Sequence, residues 1–398
     1  MKIINECRCC NSMELIELIH YESLPVAGLY YDEEELNMSL KLPMTIEFCK
    51  SCGHVQLKEV VNNNIYEQYS YAGTFSDSYM KHLEYVAKYL YKDYNIKNKN
   101  IIEIGSSNGQ LLYLLKEIGD NCVFGYEPSK KLTDDAWNSR GIKSATTYFS
   151  KDNLKYSSFN KVDLFIVRHV LEHIDDFDCI FDGINSCLTD NGLLVIEVPS
   201  IEKILEENLY SNFFHEHLNY FSETTITYLA NKSGFSLIDK KDVNIHGGSI
   251  FLIYRKSNNV RNYTSELTKI DLDTINKFIE RMKDYYNSIY EFICKEKNKG
   301  LKICGYGASH RTTMLLSMSG LDKKVIDKIY DKNVFLKDKY IPFTGVKIDL
   351  PERIKKDSPD ILIVFAISFE DEISKYIREN YKNEIKIISL KGSPHFIE

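Results

Sequence analysis

Along this chain, short apolar runs that end on glycine or an acid alternate with stretches whose apolar residues recur every three to four positions. That alternation is the pattern of repeated βα units. The clearest run is Ile101-Ile102-Glu103-Ile104-Gly105, a buried strand. It breaks into Ser106-Ser107-Asn108-Gly109 and resumes with Leu111, Leu112, Leu114, Leu115 and Ile118 at helical spacing. Strand, glycine turn and helix open a doubly wound α/β unit, whose first turn forms a ligand crevice. Cys122–Tyr126 reads as the second strand, ending on Glu127. A helix follows around Leu132–Asn138, then a short strand near Ile142–Thr147 and longer ones at Val162–Val167, Gly192–Pro199 and Ile250–Tyr254. Upstream, Ser76 begins a helix with Met80, Leu83, Val86 and Leu90 on one face.

Downstream, residues 256–275 are a polar linker, and a helix from about Asp273 to Lys297 carries an apolar stripe suited to a core or an interdomain face. Lys302–Ser309 opens a second strand-glycine-helix unit, continued by strands at Val325–Tyr330, Ile361–Ala366 and Ile385–Leu390. The expected fold class is α/β in three parts. These are a small N-terminal module (1–70), a doubly wound central domain (71–255), and a linker helix with a second Rossmann-like domain (256–398).

Composition narrows the partners. With 398 residues there is room for two or three domains. A net charge of −7 argues against nucleic acid, whose phosphates call for a basic surface. No basic, apolar-cored leader opens the chain and no apolar run reaches membrane-spanning length, so a cytoplasmic protein without a membrane partner is expected. Ten cysteines in that setting read as thiols or metal ligands rather than disulfides. Cys7 and Cys10 make one C-x-x-C, and Cys49 and Cys52 make another, followed by Gly53-His54. Four such thiolates close a tetrahedral site and make any zinc there structural. Reduced cysteines without metal are the plainer reading, and Cys9 could replace one ligand.

The chemistry of the central crevice can be narrowed further. Glu103-x-Gly105-x-x-x-Gly109 lacks the third glycine of a dinucleotide loop and suits a ligand with no phosphate. Glu127, at the end of the second strand, can accept both ribose hydroxyls of a nucleoside. A phosphate-free nucleoside with an amino-acid tail describes S-adenosylmethionine. The next strand ends in Arg168-His169-Val170-Leu171-Glu172-His173, at the edge where ligands sit. The segment Phe214-His215-Glu216-His217-Leu218-Asn219-Tyr220 is the richest in chemistry. On an extended backbone His215 and His217 would share a face opposite Glu216. That trio reads as a general base with a carboxylate, as a metal site of poor spacing, or as a structural pair. Tyr66, Tyr69 and Tyr71 lie in a polar loop that could hold a sugar or cover a junction. Gly247 and Gly248, after His246, permit close backbone approach. In the second unit Gly305 and Gly307 match G-x-G, Asp331 ends the following strand, and His310 stands where a third glycine belongs, so NAD is only weakly signalled.

In order along the chain, C-x-x-C…C-x-x-C-G-H, E-x-G-x-x-x-G, H-E-H-L-x-Y-F-S, H-G-G-S, G-x-G-A and Pro342-Phe343-Thr344-Gly345-Val346 resemble the S-adenosylmethionine-dependent C-methyltransferases that act on nucleotide-linked 4-keto-deoxysugars. The resemblance spans essentially the whole chain. It implies a structural zinc module, a central class I methyltransferase domain, and a C-terminal domain that helps bind the sugar nucleotide. It also implies methylation at C3, beside the keto group. Carried over by position, His217 resembles the family's base, Glu216 its neighbouring acid, and His173 and Tyr71 groups around the sugar. The expected cofactor contacts are Glu103, Gly105, Gly109, Glu127 and His169. The expected substrate contacts are His215, Tyr220, Gly247, Gly248, Gly305, Gly307 and Asp331. Two positions depart, because Phe214 replaces a tyrosine and His169 an asparagine. Both leave room for O-methylation of a sugar hydroxyl. A non-catalytic adaptor and an NAD-dependent dehydrogenase are the readings from other classes. A monomer is expected.

Overall fold

A computed structural model describes residues 1–61, 77–245, 247–257, 270–381 and 385–397. The chain opens with β1 (Lys2–Ile3), β2 (Leu15–Pro25), β3 (Lys41–Cys49), β4 (Val55–Leu57) and β5 (Glu59–Val60). β2, β3 and β4 form an antiparallel meander, and β1 pairs with β5. The cysteine pairs gather here, Cys49 at the end of β3 and Cys52 in the turn that follows.

The central part runs α1 (Asp77–Asp93), β6 (Asn100–Ile104), α2 (Gln110–Gly119), β7 (Cys122–Tyr126), α3 (Lys130–Arg140), β8 (Ser144–Ala145), β9 (Val162–Arg168), α4 (Phe177–Cys187) and β10 (Leu188–Pro199). It continues with α5 (Ile201–Glu206), β11 (Asn219–Tyr220), α6 (Glu223–Lys232), β12 (Phe235–Val243) and β13 (Ser249–Lys256). Seven strands order as β12-β13-β10-β9-β6-β7-β8, parallel from β10 to β8 and antiparallel at β12 and β13. Strand order reverses between β6 and β9, which makes their carboxyl ends the ligand crevice. β6, β9 and β10 are apolar over most of their length because the parallel strands are buried on both faces. The strand expected over Ile142–Thr147 shrinks to Ser144–Ala145, an edge whose polar flanks offer little to bury.

The last part comprises α7 (Leu272–Lys297), β14 (Ile303–Tyr306), α8 (His310–Ser319), β15 (Lys328–Tyr330), β16 (Ile348–Asp349), α9 (Ile354–Asp357), β17 (Ile361–Val364), α10 (Glu370–Tyr381), β18 (Lys386–Ser389) and β19 (His395–Ile397). Its sheet orders as β16-β15-β14-β17-β18-β19, parallel except for β19. Among the described residues no helix is long and apolar enough to cross a membrane.

The three parts interlock. β11, from the middle of the chain, pairs antiparallel with β4 and becomes the fourth strand of the N-terminal sheet. One hydrophobic core joins Met44, Ile46 and Val55 of that sheet to Phe213, to the α7 stripe (Phe278, Met282, Ile289), and to Ile303 and Leu315 of the C-terminal part. The stripe therefore serves an interface between parts. An isolated bridge, Tyr31 to Tyr340, and the Lys339–Asp32 ion pair at 2.7 Å close the remaining side.

Candidate active site

The four sulfurs of Cys7, Cys10, Cys49 and Cys52 lie within 4.8 Å of one another. The Cys7–Cys52 and Cys10–Cys49 pairs are each 3.6 Å apart. Thiolates at about 2.3 Å from a tetrahedral zinc ion stand at nearly this spacing, so the donor set fits zinc and leaves no open position. Cys9 stands outside the set, its thiol directed to the Thr225 carbonyl at 3.6 Å. From this knot the order spreads. His54 Nε2–H donates to Asn219 Oδ1 at 3.2 Å, and Asn219 Nδ2 donates to the Ile174 carbonyl at 2.7 Å. Arg8 donates to the Leu57 and Leu218 carbonyls and pairs with Asp175 at 2.9 Å. The cysteine module thus grips both the segment after β9 and the one containing His217.

At the tip of β6, Gly105 has φ +71°, and a Cβ there would overlap the Val170 side chain. Only glycine lets the turn close against the segment after β9. Gly109 is the N-cap of α2 and makes no side-chain cap. Glu127 accepts from Ser107 N at 3.0 Å and from Ser129 N at 2.9 Å, which fixes the loop that the cofactor expectation concerns. Burial raises its pKa. Glu103 points from inside the strand with Oε2 lacking a hydrogen-bond partner among the described residues, and burial, opposed by Arg168, pushes it up to about 8. This donor and acceptor set, with a glycine turn between, fits the amino-acid end and ribose of S-adenosylmethionine.

Next to the crevice lies a charged knot that sequence reasoning did not foresee. Glu197, fully buried in β10, accepts from Arg168 Nε at 2.6 Å and His82 Nε2 at 2.8 Å. Although burial pushes the other way, Arg168, His169 and His82 hold it well below the carboxylate range. Its presence in an otherwise apolar strand was the available signal. His169 takes a left-handed φ of +52°, with its ring 3.6 Å from Glu172 and 3.4 Å from Glu197. Burial opposes its charge, yet the two carboxylates push it up to about 9. The structure thus engages His169 with two carboxylates beside the crevice.

Residues 215 and 216 form a turn, not the extended backbone expected, with His217 N donating to the Phe214 carbonyl at 3.0 Å. Chain reversal at this point is what lets β11 join the N-terminal sheet, and it separates the two histidines. His215 Nε2–H donates to the Leu42 and Pro43 carbonyls at 3.3 and 3.2 Å, so that ring faces the N-terminal sheet. The His217 ring packs on Phe214 at 4.0 Å and meets His173 edge-on at 4.9 Å. His173 Nδ1–H donates to the Glu216 carbonyl at 2.6 Å, which leaves the Nε2 lone pair of the neutral ring. Burial, then His173, Arg311 and His310, hold His217 well below the ordinary imidazole value. Burial pushes Glu216 up to about 8. Tyr220 is buried, and its hydroxyl accepts from Phe214 N at 3.3 Å. Ligand atoms of Glu172, His173 and His217 lie within 4.8 Å of one another, close enough for a divalent cation to bridge them. Such a cation would take the His217 lone pair from any proton transfer.

The C-terminal part arrives from the other side. His310 begins α8, its ring 5.9 Å from Phe214 and nearly parallel to it. Arg311 Nη1 donates to Ser368 Oγ at 3.2 Å and stands close to Gly247. Gly248 packs on the Lys203 side chain. Gly307 follows β14, its N–H donating to the Tyr330 carbonyl at 2.8 Å, and Asp331 accepts from Ala308 N at 2.7 Å. Gly305 lies inside β14, not in the loop, and the Phe365 ring fills the space a Cβ would need. Its hydrogen serves sheet packing, which removes it from any ligand-facing surface. Tyr71 and His246 lie outside the described residues.

The family descriptions "Putative zinc binding domain", "Methyltransferase domain" and "C-methyltransferase C-terminal domain" match residues 7–66, 77–240 and 244–390 in that order. The C-methyltransferase NovU of Streptomyces niveus is 25% identical over 99% of this chain and 97% of its own length. The four-thiolate module and the Glu103–Glu127 crevice each fall within a matched domain, and together these matches make the chain an S-adenosylmethionine-dependent methyltransferase. The chain thus carries these three domain matches in order and is similar over its whole length to a C-methyltransferase. Among solved structures, the PH0226 protein of Pyrococcus horikoshii is 16% identical, covering 50% of this chain and 100% of that one with TM-score 0.40. The magnesium protoporphyrin IX methyltransferase of Synechocystis with bound cofactor is 17% identical, covering 50% and 86% with TM-score 0.36.

Proposed function

We propose that the enzyme methylates the carbon beside the keto group, C3, of a nucleotide-linked 4-keto-deoxysugar, with His217 as the base. The observation that carries this reading is the His173–His217 pair, whose rings meet at 4.9 Å while a backbone carbonyl fixes the His173 tautomer. The bound cofactor supplies an electrophilic methyl on a sulfonium. His217, neutral at physiological pH, accepts the proton from the carbon flanking the ketone. The C–H electron pair becomes the enolate double bond, and the carbonyl pair moves onto oxygen. The nucleophilic carbon then takes the methyl as the C–S bond breaks. Glu216 is buried and His217 half-buried beside it, which limits the access of water to the intermediate, and the interlocked parts hold the reacting groups in place. Glu103 and Glu127, flanking the β6 turn, are the proposed cofactor contacts, and the Gly247 turn with Arg311 of α8 beside it is the proposed approach for the sugar nucleotide.

The test uses a 4-keto sugar nucleotide deuterated at C3. C-methylation through His217 requires loss of that deuterium with gain of one methyl. A methylated product that retains the deuterium rejects the proposal in favour of O-methylation.

A further inference from the structure

We propose that Glu172, His173 and His217 form a second metal site, separate from the four-thiolate module, and that a zinc ion bound there switches methyl transfer off. The site itself needs only the geometry of these side chains, whereas the switching rests on His217 being the base of the C-methylation reading above. One donor atom from each of the three side chains lies within 4.8 Å of the other two. Ligand atoms about 2.1 Å from a tetrahedral zinc stand roughly 3.4 Å apart, so side-chain rotations of about an ångström bring all three onto one ion. Two imidazoles and one carboxylate suit zinc, whereas Mg2+ and Ca2+ take shells made of oxygen.

The surroundings are those of a built site. Glu172 is 1% exposed, and its buried Oε2 has no hydrogen-bond partner among the described residues. Its Oε1 lies 3.6 Å from His169 Nδ1. A buried carboxylate oxygen left unmet is costly, and a bound cation would meet it. His173 Nδ1–H donates to the Glu216 carbonyl at 2.6 Å. Metal-binding histidines make this same outer bond, which fixes the tautomer and gives Nε2 its lone pair. The donors are also held in place by the fold. His173 N closes the turn of 171–173 on the Val170 carbonyl at 2.9 Å. Asn219, two residues beyond His217, ties that turn down by donating to the Leu171 and Ile174 carbonyls at 3.4 and 2.7 Å. His173 and His217 are only half-buried, so an ion can reach them. With three protein ligands the site keeps a fourth position open, unlike the closed thiolate set. Having no thiolate, it is the weaker of the two zinc sites and can fill and empty while the module stays loaded. Coordination occupies the His217 lone pair that would take the C3 proton, and turnover stops.

The experiment uses the full chain with its thiolate site loaded with zinc. Co2+ is titrated in and followed by its visible absorption, and Zn2+ is titrated into the reaction with the C3-deuterated substrate. Wild type is expected to take up one further Co2+ per chain, without the sulfur-to-cobalt charge-transfer band of a thiolate site. Added Zn2+ is expected to stop deuterium loss and methyl transfer together, and a chelator too weak to empty the thiolate site is expected to restore both. Mg2+ is expected to do neither. Glu172→Gln and His217→Asn are each expected to weaken Co2+ uptake about tenfold or more. Glu172→Gln is expected to raise the Zn2+ concentration for half-inhibition, measured against its own metal-free rate, by a similar factor. Lack of a further Co2+ equivalent in wild type overturns the proposal, as does uptake that neither substitution weakens. Turnover that Zn2+ leaves unchanged or raises overturns the switching. All of these leave C-methylation standing where the untreated enzyme loses the C3 deuterium. Retention of that deuterium by the untreated enzyme overturns C-methylation and the switching with it, while Co2+ uptake still reads the site itself.

Discussion

The molecule contains two strand-turn-helix units of the same topology that are put to different use. In the central unit the residue two before the turn glycine is Glu103, a buried carboxyl facing Arg168. In the C-terminal unit the equivalent residue is Gly305, with Phe365 packed where a side chain would be. Both units close the loop with an acid from the next strand, Glu127 on Ser107 N and Asp331 on Ala308 N. They diverge at the helix start. Gly109 leaves the first turn of α2 without a side-chain cap, whereas Ser309 and Thr312 close that of α8. The N–H groups of Gly105, Ser106, Ser107 and Gly109 are bonded within the central unit. The two loops therefore differ in the helix cap and not in how their own donors are met. What the second unit offers its surroundings is the side chains of His310, beside Phe214, and Arg311, beside Gly247. Shared topology therefore does not imply a shared ligand.

The largest test of this division acts on what joins the units. β11 belongs to the sheet of the zinc module, and Asn219 on it is held by His54. Stripping the metal, or Cys49→Ser, is expected to cost several kcal/mol of stability and all methyl transfer, since structural zinc sites contribute folding energy outright. Full activity in metal-free protein, with no zinc found by elemental analysis of the native enzyme, would remove the module from the argument. Within the units, Gly105→Ala and Gly307→Ala should part company. The first drives a Cβ into Val170 at the cofactor turn and is expected to weaken S-adenosylhomocysteine binding about 100-fold or more. The second strains the backbone at φ +95° and is expected to lower stability by about 1–3 kcal/mol, with cofactor affinity unchanged. Equal effects on affinity, measured by calorimetry, would break the comparison. His217→Asn is expected to lower kcat about 10³-fold while leaving cofactor affinity near wild type.

Much of this was legible in the sequence. The apolar runs at 101–104, 162–167 and 361–364 marked their strands because burial on both faces leaves a continuous signature. β12 was not legible, since its alternating exposure mixes Asp239, Lys240 and Lys241 into the strand. The cysteine knuckles were recognisable from spacing, but not that the turn after Phe214 would send β11 into their sheet. The roles of Asn219 and Glu197 depend on partners 115 or more residues away, His54 and His82. No local pattern carries such pairings. The G-x-G at 305–307 misled for a related reason, because a glycine that admits a ligand and one that admits Phe365 look alike in one dimension.

The smallest expected effect concerns the residue that most clearly separates the two strands. Burial raises the folded-state pKa of Glu103 to about 8, above the ordinary 4.5 that an unfolded chain would show. The folded protein therefore holds this proton more tightly than the unfolded chain. Its contribution to stability is fully present below about pH 4.5 and is lost as pH rises through 8. Glu103→Gln, which keeps the shape and removes the titration, should flatten that decline. Urea midpoints at pH 5.5 and 8.5 are expected to fall further apart in wild type than in the variant, by an amount on the order of a kcal/mol or more. Gly305→Ala, at the matching position of the C-terminal strand, is expected to destabilise equally at both pH values by crowding Phe365. Parallel pH slopes in wild type and Glu103→Gln would mean that Arg168 keeps Glu103 ionised, and the contrast between the two strands would then be one of shape alone.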